Sequence, residues 1–243
     1  MLALHAPHRT VATTPGQATA LLLNRETVKR DSRRAASAQG SAMQFSMDLE
    51  PPRPKWPAKT RELGSNSLFF AILPEPEVAD RIEALAKELR AGHGLSGRLI
   101  PASRLHVTTT PIADYATLLD YDVSAAMRAA ESVAAKPFDI AFNRLQSFGR
   151  PGGNQPLVLR CGEGQGGFTQ LQKALLTALR ANDYDGKAPA AYMPHMTLLY
   201  DKRAVDETFL DEPIGWTVRE FALVYSIYGE GRHQHLGRWP LTG

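Results

Sequence analysis

The chain of 243 residues carries 28 lysines and arginines against 25 aspartates and glutamates, a formal net charge of +3, and 43% apolar residues. That length and apolar share suit one large domain or two small lobes around a real core, and the near balance of charge gives no strong nucleic-acid footprint. Cys161 is the single cysteine, so no intrachain disulfide can form, which fits a reducing cytoplasm, and no run reaches the about eighteen apolar residues of a membrane span.

Residues 1–62 read as a disordered arm. Ala, Thr, Ser and Arg dominate it, periodicity is poor, and Pro51, Pro52, Pro54 and Pro57 form a stiff linker. Part of the basic excess lies here, at Arg9, Arg25, Lys29, Arg30, Arg33 and Arg34. Leu21 to Leu23 is too short for a signal-peptide core. An Arg- and Ser-containing start also suits a transit peptide, while Met43 or Met47 offers another start that would make the upstream part an artefact; a tail or an artefact is the preferred reading. The folded domain is then expected over 63–243.

From Ser67 the run LFFAIL is short, rich in Phe and stopped by Pro74, which predicts a buried strand. Val78, Ile82, Leu85, Ala86 and Leu89 recur at helical spacing until Gly92 and Gly94, so a helix packs on that strand, with His93 in an exposed loop. Leu105 to Ile112 (LHVTTTPI) is an apolar run carrying His-x-Thr. Val123, Met127, Ala130 and Val133 mark a second helix, and Phe138, Ile140 and Phe142 alternate as a strand. Gly149 to Gln155 is a loop that lacks the Lys-Ser/Thr ending of a phosphate-binding P-loop. Leu157, Leu159 and Cys161 alternate again, and Phe168, Leu171, Ala174, Leu175, Ala178 and Leu179 give the clearest helix. Asn182 to Ala191 is a loop leading into Met193 to Tyr200 (MPHMTLLY), the second His-x-Thr run. Trp216 to Tyr228 is dense in strand formers, and Gly229 to Gly231 turns the chain. His233 and His235 have metal-ligand spacing on a strand, but no third ligand stands near them.

On a strand, residues i and i+2 share a face about 7 Å apart, so His106 with Thr108, and His195 with Thr197, present an imidazole and a hydroxyl together. One copy would mean little, since a lone histidine on a sheet surface is usually satisfied by a backbone partner. Two copies, each within a strand-like run, suggest a phosphate held between two histidines and two threonines.

At these residues the chain resembles the 2H phosphoesterases, and within them the RNA 2′,3′-cyclic phosphodiesterases, also called the 2′-5′ RNA ligase family. The resemblance runs from about Ser65 to Leu241. Ser67 to Pro74 is similar to the family's opening strand, Ile100 to Thr109 to the approach to the first motif, Tyr192 to Leu198 to the second motif, and Phe221 to Leu241 to the closing strands. It implies an α+β fold of two pseudo-twofold lobes, with antiparallel sheets lining a central cleft and helices outside, where alternation with helices alone would have suggested a parallel sheet. It further implies metal-independent hydrolysis of 2′,3′-cyclic phosphate at RNA ends or in small nucleotides to a 2′-phosphate, with His106 as general acid, His195 as general base, and Thr108 and Thr197 binding the phosphate. The residues alone leave the order of acid and base open. No cofactor or metal is required, and a cytoplasmic monomer acting on RNA ends or cyclic nucleotides, away from membranes, is expected.

Three departures stand out. An arginine often follows the second motif in relatives, where this chain has Tyr200, with Lys202 and Arg203 just beyond as candidate substrate contacts. Leu99 and Ile100 replace an aromatic before Pro101, which leaves a base-stacking platform in doubt, and Thr109 replaces an apolar residue. The missing arginine also motivates an alternative, a nucleotide-binding module that keeps the cleft without the chemistry. Ligation forming a 2′-5′ bond, the reverse of hydrolysis, uses the same site.

Overall fold

The structure, a computed structural model, describes residues 66–115, 117–149, 153–184 and 192–243. The expected arm over 1–62, part of the Gly149 to Gln155 loop and most of the Asn182 to Ala191 loop lie outside the described residues. In chain order the elements are β1 (Asn66–Ile72), α1 (Pro76–Gly92), a 3₁₀ turn (Ala102–Arg104), β2 (Val107–Tyr115), α2 (Asp120–Glu131), β3 (Phe138–Ser147), β4 (Gln155–Glu163), α3 (Gln165–Ala181), β5 (His195–Asp201), β6 (Thr208–Val218), β7 (Glu220–Ile227) and β8 (Arg232–Pro240).

Two four-stranded antiparallel sheets result, in the orders β2-β1-β7-β8 and β5-β4-β3-β6. Each begins at one edge with a motif strand, β2 or β5, next to the strand that precedes it in the chain. The unit strand, helix, motif strand therefore occurs twice, as β1-α1-β2 and β4-α3-β5. Both sheets are antiparallel because each helix returns the chain to the neighbouring edge in the opposite direction, so alternation of strands and helices does not produce a parallel sheet here.

The stretch from Trp216 to Tyr228, read from its composition as one run of strand formers, is two strands. β6 ends at Val218 in the second sheet, and β7 starts at Glu220 in the first. Exposed Arg219 marks the crossover, and its carbonyl accepts a hydrogen bond from Leu241 N–H. β-propensity is blind to which sheet a residue joins. Val133, assigned to the second helix by spacing, falls beyond its end at Glu131.

One apolar core spans both lobes, with Phe70, Ile82, Phe142, Phe168, Leu175 and Leu198 fully buried. Each side chain of this size contributes about 1.5–3 kcal/mol on burial. A smaller cluster of Phe69, Ala71, Ala222 and Val224 lies on the opposite face of the first sheet. The lobes are also stitched by backbone: Ile100 N–H donates to Leu198 O at 2.7 Å, and Leu99 bridges Leu199. Gln172 of α3 donates to Thr109 O at 2.7 Å, satisfying an acceptor on β2 at its sheet edge.

Candidate active site

The two motifs are built alike. In each strand the pairing register slips just after the motif threonine: Ala71 faces Thr108 while Phe70 faces Thr110, and Val158 faces Thr197 while Leu157 faces Leu199. Thr109 and Leu198 are thus the extra residues of two β-bulges, which twist an edge and re-aim its side chains. Burial follows the same course in both. His106 and Thr108 are half-buried with Val107, Thr109 and Thr110 buried, and His195 and Thr197 are half-buried with Met196, Leu198 and Leu199 buried.

Each imidazole is anchored by the backbone two residues upstream. His106 Nδ1 lies 2.8 Å from Arg104 O, and His195 Nδ1 lies 2.9 Å from Met193 O. A carbonyl only accepts, so each Nδ1 carries the proton and each Nε2 remains for other partners. Both histidines and both motif threonines line one cleft of about 620 Å³. Two edge strands with matched bulges therefore bring two imidazoles and two hydroxyls to one space.

Residues that the motifs did not reveal complete it. Phe69 of β1 stacks on His106 with ring centroids 5.0 Å apart, and His233 of β8 meets His106 edge-on at 4.9 Å. Arg104, from the 3₁₀ turn, lines the same cleft. Burial, assisted by the Arg104 charge, pushes the His106 pKa down to about 4. Burial beside His106 and Arg104 likewise pushes His233 down to about 3. The sequence signal for His233 was its i, i+2 pairing with His235, but the two part company. His235 is exposed, contacts Arg238 through Nδ1 at 3.0 Å and borders a different hollow. Among the described residues no group of three or more His, Cys, Asp or Glu is placed to hold a metal ion.

The cations suggested beyond the second motif are not brought to the cleft. Asp201 turns the chain there, its carboxylate accepting from the backbone of Ser96, Gly97 and Arg203 at 2.7–2.8 Å. The Arg203 guanidinium then reaches away to His93 O at 3.1 Å, and Lys202 is exposed outside the cleft lining. His93, expected in an exposed loop, is the half-buried cap of α1 that receives this contact. Tyr200 does line the cleft and is 50% exposed, so an aromatic stands at its mouth although Leu99 and Ile100 occupy the position before Pro101. Phe148 sets its ring edge-on to His195 at 5.1 Å.

Paired sheets with pseudo-equivalent His-x-Thr edges facing one cleft define the two-lobed α+β architecture of a 2H phosphoesterase. The sequence profile of the 2′-5′ RNA ligase superfamily matches residues 74–229, and the chain belongs to that superfamily. Among solved structures, E. coli LigT complexed with 3′-AMP is similar in fold, with a TM-score of 0.59 at 23% identity over 74% of this chain and 99% of LigT. LigT complexed with phosphate gives 0.56 at 23% over 74% and 100%. TT0787 of Thermus thermophilus gives 0.56 at 20% over 73% and 98%. Among curated proteins none matches this chain. No helix among the described residues is long and apolar enough to cross a membrane.

Proposed function

We propose that the chain is a metal-independent phosphodiesterase that opens 2′,3′-cyclic phosphates, at RNA ends or in small nucleotides, to 2′-phosphates. The observation that carries this reading is the convergence of His106 and His195 on one cleft, each with Nδ1 spent on a backbone carbonyl and Nε2 left for proton transfer. One imidazole takes a proton from water as it attacks phosphorus. The other gives a proton to the departing 3′ oxygen, and each transfer is worth about 10² to 10⁴ in rate. Thr108 and Thr197 donate to the non-bridging oxygens, whose charge grows in the transition state. With a 5′-hydroxyl attacking in place of water, the same steps form a 2′-5′ phosphodiester from the cyclic phosphate, the 3′ oxygen again leaving with a proton from the acid. LigT complexes with 3′-AMP and with phosphate support an occupant of nucleotide size. The reading further has the protein work as a cytoplasmic monomer on nucleotides or RNA ends.

In the first assignment His106 is the general acid and His195 the general base. A second assignment exchanges them, favoured by the low pKa of His106, which holds that ring neutral before substrate binds. A substrate with an activated leaving group separates the two. Loss of the acid is then largely tolerated and loss of the base is not. If His106→Ala recovers most of its lost rate on an aryl phosphodiester while His195→Ala does not, the first assignment stands; the opposite pattern establishes the second.

A further inference from the structure

Hydrolysis in the proposed reaction builds negative charge on the non-bridging oxygens, and neither Lys202 nor Arg203 brings a cation to the cleft. Among the described residues that line the cleft, the one permanent cation is Arg104. Its Nε is buried without a hydrogen-bond partner, and among the described residues its guanidinium has no ion-pair partner. A guanidinium held in this way is costly to a free protein, because a buried donor forgoes water without receiving an acceptor. Beside it, His233 has a buried Nδ1 that is likewise unpartnered. A bare lone pair is the less costly state for that nitrogen, so Nε2 carries the proton and His233 is a neutral donor. Arg104 and His233 are the free donors of a group that packs with His106 and is floored by Phe69, while Asp114, the carboxylate among the described lining residues, accepts from Ser67 Oγ at 2.6 Å.

We propose that Arg104 supplies the phosphate-neutralising charge of this site and that His233 stands beside it as a second donor, so the anionic end of the ligand is seated against the 3₁₀ turn and β8 of the first lobe. Arginine suits the task because its planar fork matches two phosphate oxygens at once. The turn between β7 and β8 lies beside it: a Cβ on Gly231 would stand at ordinary van der Waals distance, 3.8 Å, from Arg104 Nη1. This inference rests on the phosphodiesterase reading for its substrate, but its test reads binding separately from turnover.

Adenosine 2′-monophosphate and adenosine are titrated calorimetrically into the full chain and into Arg104→Met, Arg104→Lys, His233→Asn and, as a charge-matched control, Lys173→Ala on the exposed face of α3. Arg104→Met is expected to weaken the monophosphate by about 10- to 100-fold, the range for losing a charge-assisted pair. Adenosine binding should change less than about twofold, as should every value for Lys173→Ala. Arg104→Lys should recover part of the loss, since charge returns without the fork, and millimolar guanidinium should restore phosphate affinity to Arg104→Met. His233→Asn should fall between. Unchanged monophosphate affinity in folded Arg104→Met overturns the assignment, as does equal weakening of adenosine. If wild-type protein binds the monophosphate through Arg104 yet opens no cyclic phosphate, the phosphodiesterase reading fails and this inference stands. If wild-type protein binds no monophosphate, both fall.

Discussion

Tyr192, on the approach to the second motif, shares a hydrogen bond with Thr108 of the first. The contact runs from the segment leading into β5 to β2 of the first sheet. Burial pushes the Tyr192 phenol up to about 12, so it remains a neutral O–H, and its ring is stacked on Phe168 with centroids 6.0 Å apart. That bond fixes the position of the Thr108 hydroxyl beside the cleft. Tyr192→Phe keeps the ring and releases that hydroxyl. The expected result is a fall of about 3- to 10-fold in kcat/KM on a 2′,3′-cyclic nucleotide with melting little changed, since one such hydrogen bond is worth about 1 kcal/mol. Steady-state kinetics beside a thermal melt checks it.

The low pKa of His106 makes the acid limb informative. Because kcat/KM reports the free protein, a neutral His106 acting as base predicts activity held from neutrality down to about pH 5 and lost below about 4. As the acid, His106 is protonated in only a small fraction of the free protein near neutrality, and because its partner must be neutral at the same time, kcat/KM shows the same acid limb at a lower plateau. A bound phosphate favours the imidazolium, so kcat reports a higher value than kcat/KM in either case. Rate profiles from pH 3.5 to 9 test for the limb near 4, and the aryl phosphodiester decides the roles.

The same groups shape stability. Folding lowers His106 and His233 from 6.5 to about 4 and about 3, so below pH 6.5 the unfolded chain binds more protons than the folded one. Stability is therefore greatest above 6.5 and is lost as pH falls towards 4, by about 1–3 kcal/mol for each ring. His233→Asn should flatten that decline, which urea unfolding at pH 7, 5.5 and 4.5 measures.

Much of this site was legible in the chain. Two His-x-Thr runs with apolar neighbours specified which side chains share a face, and the burial of Val107 and Met196 follows that alternation. The bulges were not legible, because Thr109 and Leu198 become extra residues only against Phe70 and Leu157 on neighbouring strands. Arg104 carries no motif, and its position depends on a 3₁₀ turn closed by the Leu105 N–H to Ala102 O bond. His233 arrives from 127 residues beyond His106 because β8 pairs with β7 in the first sheet, after the chain has left that sheet for four strands. Lys202 and Arg203 misled for the converse reason: closeness in sequence to the second motif says nothing of the turn that Asp201 imposes.

Tyr200 provides an aromatic surface at the mouth of the cleft. Stacking of a base on such a ring is worth about 1–3 kcal/mol, so Tyr200→Ala should weaken adenosine and its 2′-monophosphate by the same factor and leave inorganic phosphate unaffected. That is the reverse of the pattern expected at Arg104, and competition titrations distinguish them.

The central claim is that two histidines, and no metal, open a cyclic phosphate. Its most direct measurement incubates wild-type protein, His106→Ala and His195→Ala with EDTA and an RNA ending in a 2′,3′-cyclic phosphate, and identifies the product. The account predicts a 2′-phosphate from the wild type, with each variant folded and slowed by about 10² to 10⁴. Turnover at the wild-type rate in either variant, or wild-type activity that disappears with EDTA, would contradict it.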